Sequence, residues 1–186
     1  MSENIRPIRR VVTGNDAQGR SRVLFDSAAP RTKTSPFQKG TNMTDIWTFD
    51  ACPAVISGER DDGDLPFHFE PPLTGGRMRV VESAAKPADY DPATDAAVTA
   101  PHPPRKTPGG TWERGGQNAF TTRTHKSETL DYGIMLTGER VLVTDDGERA
   151  IRPGSVVIQI GSWHAWSNPN APSQMAFMMM GAKFDE

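Results

Sequence analysis

The chain carries a single cysteine, Cys52, which excludes an internal disulfide framework and any cysteine-rich zinc site. No basic residue stands close to Cys52 in sequence to lower its thiol pKa, so it reads as a structural residue. No apolar run approaches the ~20 residues that a bilayer-spanning helix needs. Charge of either sign is not in excess: 21 Lys and Arg stand against 23 Asp and Glu, for a formal net charge of −2. That balance argues against nucleic-acid or anionic-membrane partners, which call for a basic patch or stripe. The opening residues MSENIRPIRR are charged and lack an apolar core, so no secretory leader is expected and the cytoplasm is the default compartment. There is no Gly-x-Ser-x-Gly elbow, P-loop or dinucleotide fingerprint. The Gly-Gly pairs at 75–76, 109–110 and 115–116 sit in turns with no helix after them.

Glycine and proline are abundant instead, at 17 and 16 residues. They interrupt nearly every window long enough for a helix and point to a β-rich domain with many turns. The length of 186 residues suits one domain. Within it, residues 1–85 read as an N-terminal β extension packing on a barrel. RRVVT and SRVLF form a hairpin about Gly14-Asn15-Asp16, followed by strands in TDIWTFD and RMRVVE. Residues 86–118 form a long Pro- and Gly-rich loop without periodicity, either a lid or a mobile surface segment. Residues 119–186 are the densest in strands: DYGIMLT, RVLVT, ERAI, SVVIQI, HAWS and QMAFMMMGA, each followed by a turn. This spacing predicts an all-β sandwich or barrel.

Four histidines are present. His102, in PHPP, and His68, in PFHFEPP, read as surface imidazoles. His125 and His164 sit at the mouths of strands. If one unbroken strand runs from His125 to Asp131, then His125, Ser127 and Asp131 share a face, because strand side chains alternate with period two. Buried imidazole and carboxylate groups need partners. Two histidines and one carboxylate suit a divalent ion such as iron, manganese, zinc or nickel.

The spacing of these residues resembles the cupin superfamily. Gly147, Pro153, Gly161, His164 and Asn168 stand at the spacing of that family's second motif. His125, Asp131 and Gly138 stand at the first His, the carboxylate and the closing Gly of its first motif. Ser127 replaces the second His of the first motif, Asp131 replaces Glu, and Gln159 stands where Pro is usual. RRVVTG, IWTFDACPA, GGRMRVVE and GSWHAWSNP further resemble a group of small single-domain bacterial and fungal cupins.

The resemblance implies an all-β, double-stranded β-helix (jelly-roll) barrel with an N-terminal β extension. It implies one divalent metal ion on His125, Asp131 and His164, and a homodimer. The expected activity is that of a metal-dependent enzyme on a small organic molecule. A dioxygenase is one form, and a lyase, decarboxylase or isomerase the other. The alternative is a non-catalytic cupin that binds a small ligand. Arg79 could bind a substrate carboxylate and Glu82 could move protons, and alternation sends only one of the two inward. Ser127 is a further weak catalytic candidate. Trp166, Met178 and Met180 are the expected substrate-pocket residues.

Overall fold

The computed structural model describes residues 7–36, 38–56, 58 and 60–185. Residues 1–6, on which the expectation of no leader partly rests, lie outside them. Fourteen strands and no helix are found among the described residues. They are β1 (Arg9–Asn15), β2 (Ser21–Ala28), β3 (Arg31–Thr34), β4 (Thr41–Phe49), β5 (Gly76–Ser83), β6 (Arg105–Lys106) and β7 (Trp112–Glu113). Then come β8 (His125–Lys126), β9 (Thr129–Gly138), β10 (Arg140–Thr144), β11 (Gly147–Ile151), β12 (Val156–Ile160), β13 (Ala165–Ser167) and β14 (Ser173–Gly181).

The main sheet has six antiparallel strands in the order β12-β9-β14-β5-β4-β3. A three-stranded sheet, β11-β10-β13, faces it. The core lies between them: Met135, Met175 and Phe177 from the large sheet meet Trp166 from the small one. The Trp166 and Phe177 rings meet edge to face at 5.7 Å, a favoured aromatic geometry. This is the jelly-roll barrel. Gly133 makes room for its filling, since a Cβ there would stand 2.6 Å from Met175 Cε.

Segment 1–85 supplies β3, β4 and β5 to the same sheet as β9, β12 and β14. Only the β1–β2 hairpin stands apart. It is tied down by Arg10, whose guanidinium donates to both oxygens of Asp61. The connection from β4 to β5 is clamped from below. Arg77 donates to the carbonyls of His68 and Glu70, and Arg79 to those of His68 and Phe69.

The 86–118 segment holds more order than its composition suggests. It forms β6 and β7, which pair with β8 in a third sheet, β6-β7-β8. Glu113 is buried at its centre, accepting from Arg105 and from the Gly115 amide. A single well-partnered carboxylate thus anchors a stretch with little apolar content. Cys52, expected to be structural, is exposed and free. No helix is long and apolar enough to cross a membrane among the described residues.

Candidate functional site

Two backbone hydrogen bonds create the site. His125 N donates to His164 O at 2.9 Å, and His164 N donates to His125 O at 3.0 Å. Residues that exchange both bonds stand directly opposite each other and put their side chains on one face. The imidazoles therefore lie together, with ring centroids 4.4 Å apart. Gly161, at φ 68°, turns the chain after β12 so that His164 reaches this position.

Each ring is held the same way. His125 Nδ1 lies 2.9 Å from the Arg123 carbonyl, and His164 Nδ1 lies 2.9 Å from the Ser162 carbonyl. A carbonyl only accepts, so both Nδ1 atoms carry the proton and both Nε2 atoms keep a lone pair. Neither Nε2 has a hydrogen-bond partner among the described residues. Burial and the neighbouring His125 push His164 down to about 3, against the pull of the Ser162 carbonyl. Burial also lowers His125. The pair is neutral at physiological pH.

Both histidines line a cavity of 110 Å³ inside the barrel. Trp166 lines it too, edge-on to His164 at 6.3 Å. So do Ser127, Asp131 and Arg79. Arg79 is not a free recognition group, however. Its Nε and Nη2 donate to Asp45 at 2.6 and 3.2 Å, and its remaining arm holds the β4–β5 connection. Glu82 is on the other face of β5, where Gln174 donates to it at 3.2 Å. Met178 and Met180 do not line the cavity. Phe177 and Met179, of opposite parity on β14, do. QMAFMMMGA is apolar on both parities, so alternation alone could not choose the inward set.

The three-residue ion site is also not formed. Among the described residues no three His, Cys, Asp or Glu side chains come together as a metal-holding group. The reason is local. The strand expected from His125 to Asp131 breaks at Ser127-Glu128. His125 belongs to the β6-β7-β8 sheet, whereas Asp131 lies in the six-stranded sheet opposite Gln159. Asp131 keeps one hydrogen bond, from Thr129 Oγ1 at 3.1 Å, while its Oδ1 is buried without a partner. Burial pushes its pKa up to about 6. Gln159 Nε2 across the ladder is likewise buried and unpartnered. The residues present fit a pair of imidazole ligands, not the two-histidine, one-carboxylate set.

Sequence reasoning passed over Arg140, Gln159 and Thr129 as cavity residues. Arg140 had a signal: a charge opening RVLVT on the same parity as Leu142. A second space of 220 Å³ adjoins the cavity, sharing His125, Phe69, Met43 and Thr122 with it. A larger cleft, 830 Å³, lies between the β1–β2 hairpin and β4 and shares no residue with the histidine cavity. Among the described residues its one buried polar side-chain atom without a partner is Arg10 Nε.

No protein-family model matches the chain. It is 29% identical over 191 residues to phomopsin biosynthesis cluster protein C' of Diaporthe leptostromiformis, covering 98% of this chain and 82% of the relative. It is 23% identical over 176 residues to the cupin-domain-containing oxidoreductase fogC of Aspergillus ruber, covering 92% and 71%. The chain is similar to cupins. A cupin-2 domain protein from Rhodospirillum rubrum is similar in structure, with TM-score 0.41 and 11% identity over 98% of this chain and 82% of that one. At the spacing of the cupin second motif stand Gly161, His164 and Asn168, while Asp131, at the carboxylate position of the first, lines the cavity without forming a three-ligand group with the two histidines.

Proposed function

We propose that this protein is an enzyme that moves a proton on a small carbonyl compound held in the barrel, with His125 and His164 as the bases. The observation that carries the reading is the imidazole pair, locked by both Nδ1–H groups and presenting unpartnered Nε2 atoms at one cavity. A neutral imidazole keeps the lone pair that a general base needs, here as a weak base because burial lowers both rings, His164 to about 3. One Nε2 takes a proton from the carbon beside the carbonyl, exchanges it in part with solvent, and returns a proton at that carbon or at another. Return at another carbon gives an isomer, and the proton count is unchanged. The Gln159 amide, a buried donor without a partner, supplies a hydrogen bond to the oxygen on which charge develops. Trp166, Phe177 and Met179 wall the cavity with apolar surface and keep water from the enolate. This belongs to the isomerase and lyase branch of the sequence expectation.

A second reading, redox chemistry, is favoured by the name of the Aspergillus ruber relative, an oxidoreductase. An iron, zinc, manganese or nickel ion on this protein would rest on two imidazoles and take its other ligands from solvent or substrate.

The test follows deuterium. Small ketones are incubated in D2O with the protein, and incorporation at the α-carbon is read by mass spectrometry. Exchange above buffer, falling at least 100-fold in His164→Gln and His125→Gln, is expected. Absence of exchange, or exchange indifferent to both variants, contradicts the proposal. Loss of exchange after chelation, with recovery on adding one divalent ion, replaces it with the ion-dependent reading.

The partner expected is a second copy of the chain. The outward side of the six-stranded sheet exposes Ile134, Val156, Ile158 and Ile160, the last 78% exposed. A patch of this kind is a common mark of an interface. Light scattering at twice the 20.3 kDa chain mass supports this pairing, and the monomer mass contradicts it.

A further inference from the structure

Four arginines are buried among the described residues: Arg10, Arg77, Arg79 and Arg140. Three of them have a carboxylate. Arg10 is paired with Asp61, and Arg79 and Arg77 share Asp45, at 2.6 and 3.8 Å. Arg140 has none. It is 2% exposed, and the side chains it donates to are neutral. Its Nε donates to Asn168 Oδ1 at 3.2 Å and its Nη2 to Ser83 Oγ at 2.7 Å, while the Trp166 ring centroid lies 5.7 Å from the guanidinium carbon. Nη1 makes no hydrogen bond among the described residues. Asp131 and Glu70 line the same cavity, but neither forms an ion pair with it.

A buried cation without a counter-charge is costly, and a side chain as hydrophobic as Met would fill the space more stably. Burial lowers the Arg140 pKa only to about 10, so the group stays charged. Arg140 lines the cavity that holds His125 and His164. A ligand anion entering there would supply the missing charge and accept a charge-assisted hydrogen bond. One open arm in a small cavity with apolar walls suits a monoanion. A phosphate dianion would call for several open donors.

We propose that Arg140 is the recognition group for a carboxylate on the substrate, so that the molecule bound in the barrel is a compact organic acid. This rests on the proton-transfer reading and names the substrate class of that same site. The carboxylate sits on Nη1, the carbon chain lies along Trp166, Phe177 and Met179, and the carbon acid is presented to the imidazole pair. Ser83 and Asn168 are positioning residues that hold the guanidinium in place.

Isothermal titration calorimetry with butanoate, benzoate and 4-oxopentanoate, each beside its primary amide, tests this. At least one acid binds, at least tenfold more tightly than its amide. Arg140→Gln removes that preference, while Arg140→Lys, which keeps the charge, retains part of it. Equal binding of every acid and amide, binding of no acid, or a preference that survives in Arg140→Gln overturns the proposal. If Arg140→Gln does not fold, the wild-type ratio and the Lys variant decide. Acid preference without deuterium exchange on any ketone leaves the carboxylate site standing and removes the proton-transfer reading. Exchange on neutral ketones with no acid preference does the reverse.

Discussion

On the β4–β5 side of the cavity, Arg79 and Arg77 share Asp45, and their other arms grip main-chain carbonyls of the connection above. On the β9–β10–β13 side, Arg140 has no acid among the described residues. There Asp131 Oδ1 and Gln159 Nε2 are buried without partners, and two neutral imidazoles present free lone pairs. Arg79 from the first side and Arg140 from the second line one cavity. The first is closed upon itself and serves the fold. The second is closed only when something occupies the cavity, because buried polar groups are ordinarily satisfied and those left over mark a role other than stability. Arginine in a cavity is therefore a poor sign of substrate binding until its acid has been looked for.

The sharpest way to break this contrast is to remove Asp45. Asp45→Asn leaves Arg79 and Arg77 without their charge partner, and unfolding should become easier by about 3–5 kcal/mol, as for other buried pairs that lose one member. A loss under about 1 kcal/mol by urea denaturation would show that the β4–β5 side is no more structural than the other.

Asp131→Asn should do the opposite. The Asp131 carboxyl is held above its usual range, to about 6, so the folded protein binds the extra proton between pH 3.8 and about 6. Stability falls as pH rises through that window, and the full penalty is present above it. The variant should be more stable than wild type at pH 8, on the order of 2 kcal/mol, with the gain gone below pH 3.8. Equal melting curves at pH 8 would mean that Asp131 has a partner in solution.

The smallest effect belongs to Arg140→Met, expected to change stability by no more than about 1 kcal/mol, since the lost hydrogen bonds are offset by the removal of an uncompensated charge. A loss as large as that of Asp45→Asn would place Arg140 with the structural arginines.

Much of this arrangement was legible in the sequence where spacing within one turn decides it. Gly161, His164 and Asn168 act locally: the glycine turns the chain, the histidine meets His125, and Asn168 donates to Ser173 Oγ and to the Glu139 and Ala171 carbonyls across its own turn. Trp166 followed from the same segment. Non-local pairing was not legible. Nothing in HKSETLD marks the break at Ser127-Glu128 that sends Asp131 to another sheet. Arg140 owes its unpaired state to side chains from β5 and from the turn after β13, and Arg79 owes its pairing to β4. The inward parity of β14 is likewise set by the sheets around it.

The central claim is that His125 and His164 form a neutral pair with protons on Nδ1 and lone pairs on Nε2. Nitrogen NMR of the histidine side chains in the full chain, recorded at pH 7 and pH 5 with and without a chelator, tests it most directly. The account predicts two Nδ1–H tautomers at pH 7, His164 still neutral at pH 5, and spectra unchanged by the chelator. A charged His164 at pH 5, an Nε2–H tautomer for either ring, or resonances that shift when an ion is stripped away would contradict it.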